Sequence, residues 1–547
     1  MKKYIPLYII LAIGLALRFY HNLDISIWHD EAFSALMIRY PWGEMFHRLG
    51  LDVHPPMYYI FLRLWHYVFG DSVLSLRGMS VFFGTGTIWA AWMFVREAFK
   101  NEKIALWAAL LVAINPFGLR FALEARMYTM GAFFAVLAGY FLVRALNTQK
   151  LVYETGAQNM PNLPGIIQGG KTVFWNYLGF ALSTARIINS HYYLFFTAAA
   201  LGFYGLLYLF VHHLGSWKKY IPLLSSFIVI GLSFLPWLKT FLFQLRQVEA
   251  GYWIDKMTIW SIPSTFWDML LGFSRDTNNP TTQIWLIVVL LFCLWIVYRF
   301  LKNSDSKHKW LVVFAIMAPF IGAILFYLKN VHCAFRSPFD FFASPSYCSG
   351  TSIYLDRYFL FAGVYFSLAV AVWLKEIKIQ WLSSSLFVIY IILNLAAFGN
   401  YWKSMDVLNK PGMNALAKEL STNAESSGHH VFVGTSFEFF NLKYYLETYY
   451  RLPSGVRPLL YTGGRGKASE ISHVEGVSLL TDADLLPEYN QNVHPADTVW
   501  VIWTNAFGSK KPENLPLNWT QIGEDKGFAD VKPFNGAYIY LSEYKVN

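Results

Sequence analysis

Long apolar runs separated by short polar, often lysine-bearing stretches occupy the first 400 residues. Runs able to cross roughly 30 Å of hydrocarbon lie near 4–20, 72–96, 103–120, 127–146, 173–189, 192–212, 219–237, 282–301, 310–328, 357–374 and 381–399. The pattern predicts an α-helical polytopic membrane protein of about eleven spans. Between the first two runs, Phe33, Leu36, Met37 and Tyr40 recur at helical spacing after Asp30, predicting an interfacial helix that Pro41 ends. A second amphipathic stretch, 55–69, starts with a proline and has Asp52 ahead of it as a cap. Another outer loop, 238–281, contains Tyr252-Trp253-Ile254-Asp255 and an apolar stretch at 260–273 that reads as a lid resting on the membrane. The Gly/Pro/Asn/Gln-containing stretch 147–172 reads as a mobile inner connection.

Beyond about residue 400 the pattern changes to that of a soluble α/β unit. Helices are predicted over 414–424 and 437–449, and strands over 430–434, 499–503 and 537–541. The chain thus divides into a membrane domain, 1–400, and an extracytoplasmic α/β domain, 401–547. Gly463-Gly464-Arg465-Gly466-Lys467 lacks the ending and context of a phosphate loop and reads as a flexible turn. Asn518-Trp519-Thr520 is a formal glycosylation sequon.

Composition agrees with the class: 55% of the 547 residues are hydrophobic and only 14% charged. The lysines set the orientation. Lys2-Lys3, Lys100, Lys103, Lys150, Lys171, Lys218-Lys219, Lys302, Lys307, Lys309, Lys375 and Lys378 fall on one side, which is then the cytoplasm. The N-terminus is expected inside a cell membrane, uncleaved, and the C-terminal domain outside. A net charge of +10 needs no nucleic acid, since lysines flanking spans face anionic headgroups. Arginine behaves differently: Arg39, Arg48, Arg77, Arg120, Arg126, Arg246, Arg275, Arg336 and Arg357 fall on the outer side, where guanidinium forks bind phosphate or snorkel. Cys333 and Cys348 share one outer loop and either bridge or stay free, whereas Cys293 lies inside a span.

The leading chemical candidate is Asp30-Glu31, about ten residues past the first run, with Asp52-Val53-His54-Pro55-Pro56 in the same loop. A carboxylate at a lipid–water boundary is partly desolvated, which raises its pKa unless cations hold it charged, so the position suits a base. Glu124 either pairs with Arg126 or faces a substrate. Glu31, His54 and His191 are candidate ligands for a divalent cation, although no known zinc spacing is present.

Trp28-His29-Asp30-Glu31, His54-Pro55-Pro56-Met57-Tyr58, Glu124-Ala125-Arg126-Met127-Tyr128 and Asp356-Arg357-Tyr358 occur in the order seen in GT-C-fold glycosyltransferases. Residues 1–400 resemble the bacterial branch related to protein O-mannosyltransferases and the aminoarabinose transferase of lipid A. The resemblance implies a GT-C fold and transfer of one sugar, with inversion, from a polyprenyl-phosphate carrier to a lipid, glycan or protein acceptor outside the membrane. It assigns the base to Asp30, with Glu31 tuning or orienting it. Arg126 and Arg357 would stabilise the leaving phosphate, with Tyr128 and Tyr358 as hydrogen-bonding companions. His54 stands where the aminoarabinose transferase carries a lysine, as a phosphate clamp or a metal ligand. The competing class is a multi-pass transporter or lipid flippase. Against it, the charges cluster at outer span ends, and no inverted repeat or paired broken helices are evident.

Overall fold

Backbone inside a bilayer finds no water to bond, so the apolar runs satisfy their amides internally, and all are helical in the computed structural model. The structure describes residues 2–154, 164–212, 217–272, 277–333, 348–406, 409–424, 428–506, 509–531 and 537–547. Arg275, Arg336, the connection 155–163 and the side chains of Cys333 and Cys348 lie outside the described residues. The rest of the expected inner connection is helical, since Tyr128–Glu154 and Pro164–Ile188 run into it.

Among the described residues, 8 helices are long and apolar enough to cross a membrane, or 9 counting one bent pair. The other two predicted runs fall on Ile5–Phe19, of 15 residues, and on Pro164–Ile188. The first of these spans only about 22 Å, short for an unaided crossing. Burial ranks the spans: the strongest hydrophobic window of Asp356–Lys375 is 94% buried and that of Ile221–Ala250 only 17%. Arg357 therefore stands at the head of the central helix, while the peripheral helices turn apolar faces outward.

The bent pair is Glu102–Ile114 and Pro116–Ala122, meeting at 55°. Pro116 has no N–H for the carbonyl of Val112, and the buried Arg18 takes that carbonyl at 3.2 Å and the next, on Ala113, at 3.0 Å. Asn115 caps the second half by accepting from Gly118 N. The break delivers the segment Glu124–Arg126 to the end of the bundle nearest the α/β domain.

Three helices fill the first long loop: His29–Met37, Trp42–Leu51 and Met57–Phe69. The first is no interfacial helix. Every residue from Glu31 to Met37 is buried, because the helix lies between the spans and the C-terminal-domain helix Ser436–Thr448. Pro41 ends one helix but is also the N-cap of the next, which buries Met45 and Leu49. Met57–Phe69 is amphipathic, burying Tyr58, Tyr59 and Leu62 and exposing Leu64, Tyr67, Val68 and Phe69. Its N-cap is Pro56, with no side-chain cap bond, so Asp52 does not cap it. In the later loop, Leu238–Ala250 continues the preceding span, and Ser261–Leu271 is buried along most of its length instead of lying on the membrane as a lid.

The C-terminal domain is a sheet of 6 strands in the order β5-β4-β3-β6-β8-β7. These are β3 His429–Val433, β4 Pro458–Tyr461, β5 Leu485–Leu486, β6 Thr498–Thr504, β7 Trp519–Asp530 and β8 Ala537–Val546. β3 to β6 run parallel; β8 and β7 pair antiparallel at one side. A separate ribbon, β1 Val331–Cys333 with β2 Cys348–Gly350, sets Cys333 opposite Cys348 along the backbone.

This domain is wedged into the membrane half. Tyr445 OH accepts from Ile27 N at 2.9 Å and lies 3.2 Å from Ser26 Oγ. Arg39 donates to Glu447 and Thr448 at 2.7 and 2.6 Å, and Tyr444 OH donates to the Asp71 carbonyl at 2.8 Å. One apolar core runs through both halves.

Candidate active site

Asp30 is the second residue of its helix, in the first turn, where unpaired N–H groups favour a carboxylate. Its side chain is 20% exposed and opens on a cavity of about 740 Å³. Oδ2 lies 3.2 Å from Arg357 Nη1 and 3.9 Å from Arg126 Nε. Burial pushes the carboxyl upward, but Arg126 and Arg357 outweigh it and hold the pKa at about 2. The acid is ionised throughout the physiological range.

Arg126 is 3% exposed and held on several sides. Nη1 donates to the Asp30 carbonyl at 3.2 Å, Ser34 Oγ at 3.3 Å and Tyr59 OH at 3.5 Å. Nη2 lies 3.0 Å from His54 Nε2, and His54 Nδ1 lies 2.7 Å from Asp52 Oδ2. A guanidinium has only donors, so Nε2 accepts and the imidazole is neutral, its proton on Nδ1 and given to Asp52. Burial pushes the Asp52 carboxyl up, and the contact with His54 brings it below its ordinary value. Both His54 nitrogens are thus engaged, and in this geometry the residue orients Arg126.

Four aromatic rings surround Arg357: Trp253 at 5.4 Å from its guanidinium carbon, Trp28 at 5.8 Å, Tyr128 and Tyr358 at 5.9 Å. Ring faces stabilise the cation without using its N–H donors, which stay available to an anion. Tyr128 and Tyr358 line the cavity beside it.

Glu31 does not line this cavity. Fully buried, it accepts from Arg77 Nε at 2.7 Å, Arg77 Nη2 at 2.8 Å and Ala125 N at 2.9 Å. Arg77, also fully buried, adds the carbonyls of Asn22, Ile25 and Ser26 at 2.5 to 3.1 Å. The expectation that Glu31 tunes Asp30 from beside it is corrected: successive helix residues point about 100° apart, and Glu31 faces inward. Together with Arg77 it ties three segments, 22–31, the span Val73–Phe99 and the strip 124–126, into one block. Arg77 had been read as a possible anion contact. Glu124 is also buried and lies outside the cavity lining; its carbonyl accepts from Ser80 Oγ at 2.6 Å.

His191 lies outside the lining of this cavity and on that of an adjoining one, its ring 4.6 Å from that of Tyr358 and 6.5 Å from that of His54. Nδ1 accepts from Tyr193 N at 3.1 Å. Burial, then the cations of the site, lower its pKa well below the usual value, so the ring is neutral. The trio Glu31, His54 and His191 does not fit a divalent cation, because Glu31 is spent on Arg77 and a metal at His54 would stand against Arg126. Among the described residues no group of 3 or more His, Cys, Asp or Glu side chains is arranged to hold one.

A second cavity of about 410 Å³ shares Val53, His54, Tyr252 and Tyr358 with the first. It continues between Phe195, Phe196, Phe234 and Phe241, on helices of the membrane bundle. A polar chamber and an aromatic groove thus meet at one wall.

The site residues the sequence did not reveal are Asp52 in its role beside His54, Arg77, and the rings of Trp28 and Trp253. Asp52 had a local signal, an acidic residue two positions before a histidine. The Glu31–Arg77 pair, 46 residues apart, had none.

A family model described as dolichyl-phosphate-mannose-protein mannosyltransferase matches residues 53–158. That segment carries two of the four motifs that gave the GT-C resemblance, those at His54 and Arg126. Asp30 and Arg357 lie outside it. No curated protein matches the chain. Among solved structures, the Saccharomyces cerevisiae protein O-mannosyltransferase Pmt1-Pmt2 complex bound to the sugar donor aligns with 45% of this chain and 34% of that chain, at 16% identity and TM-score 0.34. The Cupriavidus metallidurans ArnT bound to undecaprenyl phosphate aligns over 98% of this chain and 97% of that one, at 12% identity and TM-score 0.44. The Archaeoglobus fulgidus oligosaccharyltransferase AglB, with an inhibitory peptide and a dolichol-phosphate, gives 95% and 75%, at 12% identity and TM-score 0.41.

Proposed function

We propose that the chain is an integral-membrane inverting glycosyltransferase that moves one sugar from a polyprenyl-phosphate carrier to an acceptor hydroxyl on the outer face of the membrane. The observation that carries this reading is the place of Asp30, an ionised carboxylate between two arginines where a polar chamber meets an aromatic groove. A carrier's prenyl chain stays in lipid or in the groove, since each buried methylene is worth about 0.8 kcal/mol. The matched family's description names a dolichyl-phosphate sugar, a donor of the same chemistry. The lysine distribution supports the outer face.

The chemistry follows from the arrangement. The acceptor oxygen attacks the anomeric carbon while its proton passes to Asp30, and the bond from that carbon to the phosphate oxygen breaks with its electron pair going to phosphate. One displacement inverts the carbon. Charge grows on the phosphate as the bond breaks, and Arg126 and Arg357, aimed at it, stabilise the transition state beyond the ground state. Tyr128 and Tyr358 wall the phosphate side. His54 and Asp52 fix the fork of Arg126.

The same arginines also hold Asp30. An arriving phosphate draws both cations toward itself, and Asp30, released from them, becomes a stronger base when the donor is in place. The test is Asp30→Asn assayed for sugar transfer from a polyprenyl-phosphate donor with protein reconstituted in lipid. Loss of transfer with donor binding kept is the expected outcome, and full activity would overturn the assignment.

A further inference from the structure

The cavity has two kinds of wall, and only one is explained by a lipid-phosphate donor. Toward the groove lie His54, Tyr128 and Tyr358. The other wall comes from two pieces far apart in sequence: Trp253 and Asp255 in the turn after the helix Leu238–Ala250, whose Tyr252 also borders the groove, and the exterior-domain residues Phe437, His473, Val474 and Gly476. The exterior domain is therefore part of the chamber, and at 740 Å³ the space exceeds what one donor sugar fills.

The chemistry of this wall is specific. Trp253 is 48% exposed on a chamber where Phe33, Phe121, Tyr128 and Tyr358 are buried. The rings of Tyr252 and His473 stack across the two pieces, 6.3 Å apart and 11° from parallel. His473 lines the chamber, and its Nε2 makes no hydrogen bond with the protein. Asp255 opens on the same space. Exposed ring faces beside isolated hydrogen-bonding groups match a sugar, which has an apolar C–H face and a rim of hydroxyls. Beyond the Asp30 cluster, the charged lining residues are Arg120, Asp255 and Asp356, one cation to two carboxylates. That balance is unsuited to a polyphosphorylated acceptor.

Resting on the transfer reaction above, we propose that this wall is the acceptor site, that it binds a neutral carbohydrate by stacking on Trp253 and hydrogen bonding to His473 and Asp255, and that the exterior domain thereby selects the acceptor. The acceptor hydroxyl then reaches Asp30 across the same chamber.

The full-length protein in lipid nanodiscs would be tested by saturation-transfer NMR with maltotriose, mannotriose and chitotriose, against a serine-containing peptide. At least one trisaccharide is expected to bind, His473→Ala to weaken it about tenfold, and Trp253→Leu to abolish it. Undecaprenyl phosphate binding, followed by displacement of a labelled analogue, is expected to be the same in His473→Ala as in the unmodified protein. Binding of the peptide alone, of no trisaccharide, or of a trisaccharide indifferent to both substitutions would overturn the proposal. Trisaccharide binding without undecaprenyl phosphate binding would uphold this site and sink the donor reading instead.

Discussion

Two arginine–carboxylate clusters hang from adjacent residues of one helix and differ in everything except their chemistry. At Glu31 the carboxylate has a single arginine, bidentate, with both partners fully buried and the remaining donors spent on carbonyls. At Asp30 the carboxylate has two arginines, neither bidentate, the closer at 3.2 Å, and the group opens on a chamber. A closed pair has nowhere to put a ligand and serves as a brace. An over-supplied carboxylate with loose contacts is a place where an anion can enter. The comparison teaches that two adjacent carboxylates on one helix stand in opposite environments, Asp30 open to a chamber and Glu31 closed on Arg77.

Exchanging the two carboxylates for amides should separate these roles, with the largest effects expected of any substitution. Asp30→Asn should lower transfer by about 10²- to 10⁴-fold and lower the unfolding midpoint by less than Glu31→Gln does, because it forfeits only the roughly 2 kcal/mol that the ionised Asp30 contributes above pH 4. Glu31→Gln should do the reverse. Leaving Arg77 buried beside a neutral partner costs about 3–5 kcal/mol, read as a lowered unfolding midpoint, while the molecules that fold keep most of their activity. Equal losses of activity per folded molecule in both variants would break the distinction.

How much of this was legible follows from where the signals lie. Apolar runs gave the helices because span length and lipid exposure act within one segment, and the short β-branched and aromatic runs in His429–Val433 and Thr498–Thr504 gave the buried strands. β7 escaped because it is an edge strand reading Thr520-Gln521-Ile522-Gly523-Glu524-Asp525-Lys526, mostly exposed and interrupted by a register shift, so nothing forces a two-residue period. The helix His29–Met37 showed an apolar stripe, but periodicity does not say whether lipid or a second domain covers it. Arg126 and Arg357 stood in recognisable motifs, whereas Arg77 reaches Glu31 across 46 positions and left no local trace.

A smaller effect separates the clusters by pH. With its folded pKa near 2, below the ordinary carboxylate value near 4, Asp30 contributes stability that is complete above about pH 4 and lost as pH falls toward 2. The loss amounts to roughly 2 kcal/mol, and Asp30→Asn should remove that part of the acid transition. On the proposed mechanism the donor phosphate shares the arginines, so the acid limb of kcat should lie at higher pH than the acid limb of kcat/KM, which reports the free enzyme. Limbs that coincide in a pH–rate series at saturating donor would mean that the phosphate does not draw the arginines from Asp30.

The smallest predicted effect concerns the support of Arg126. Asp52 fixes the proton of His54 on Nδ1, which leaves Nε2 free to accept from Arg126. The amide that Asp52→Asn introduces can turn to donate instead, and the imidazole then protonates on Nε2 and meets Arg126 donor to donor. Asp52→Asn should therefore lower kcat/KM about tenfold, with little change in the unfolding midpoint, because His54 and Asp52 stand at the rim of a chamber and not in a closed block. The imidazole ¹⁵N shifts of His54 provide the readout that a merely structural role would not move: in the unmodified protein Nδ1 carries the proton, and in Asp52→Asn the population shifts toward Nε2–H. An unchanged tautomer with reduced activity would place the loss in Asp52 itself and detach His54 from the control of Arg126.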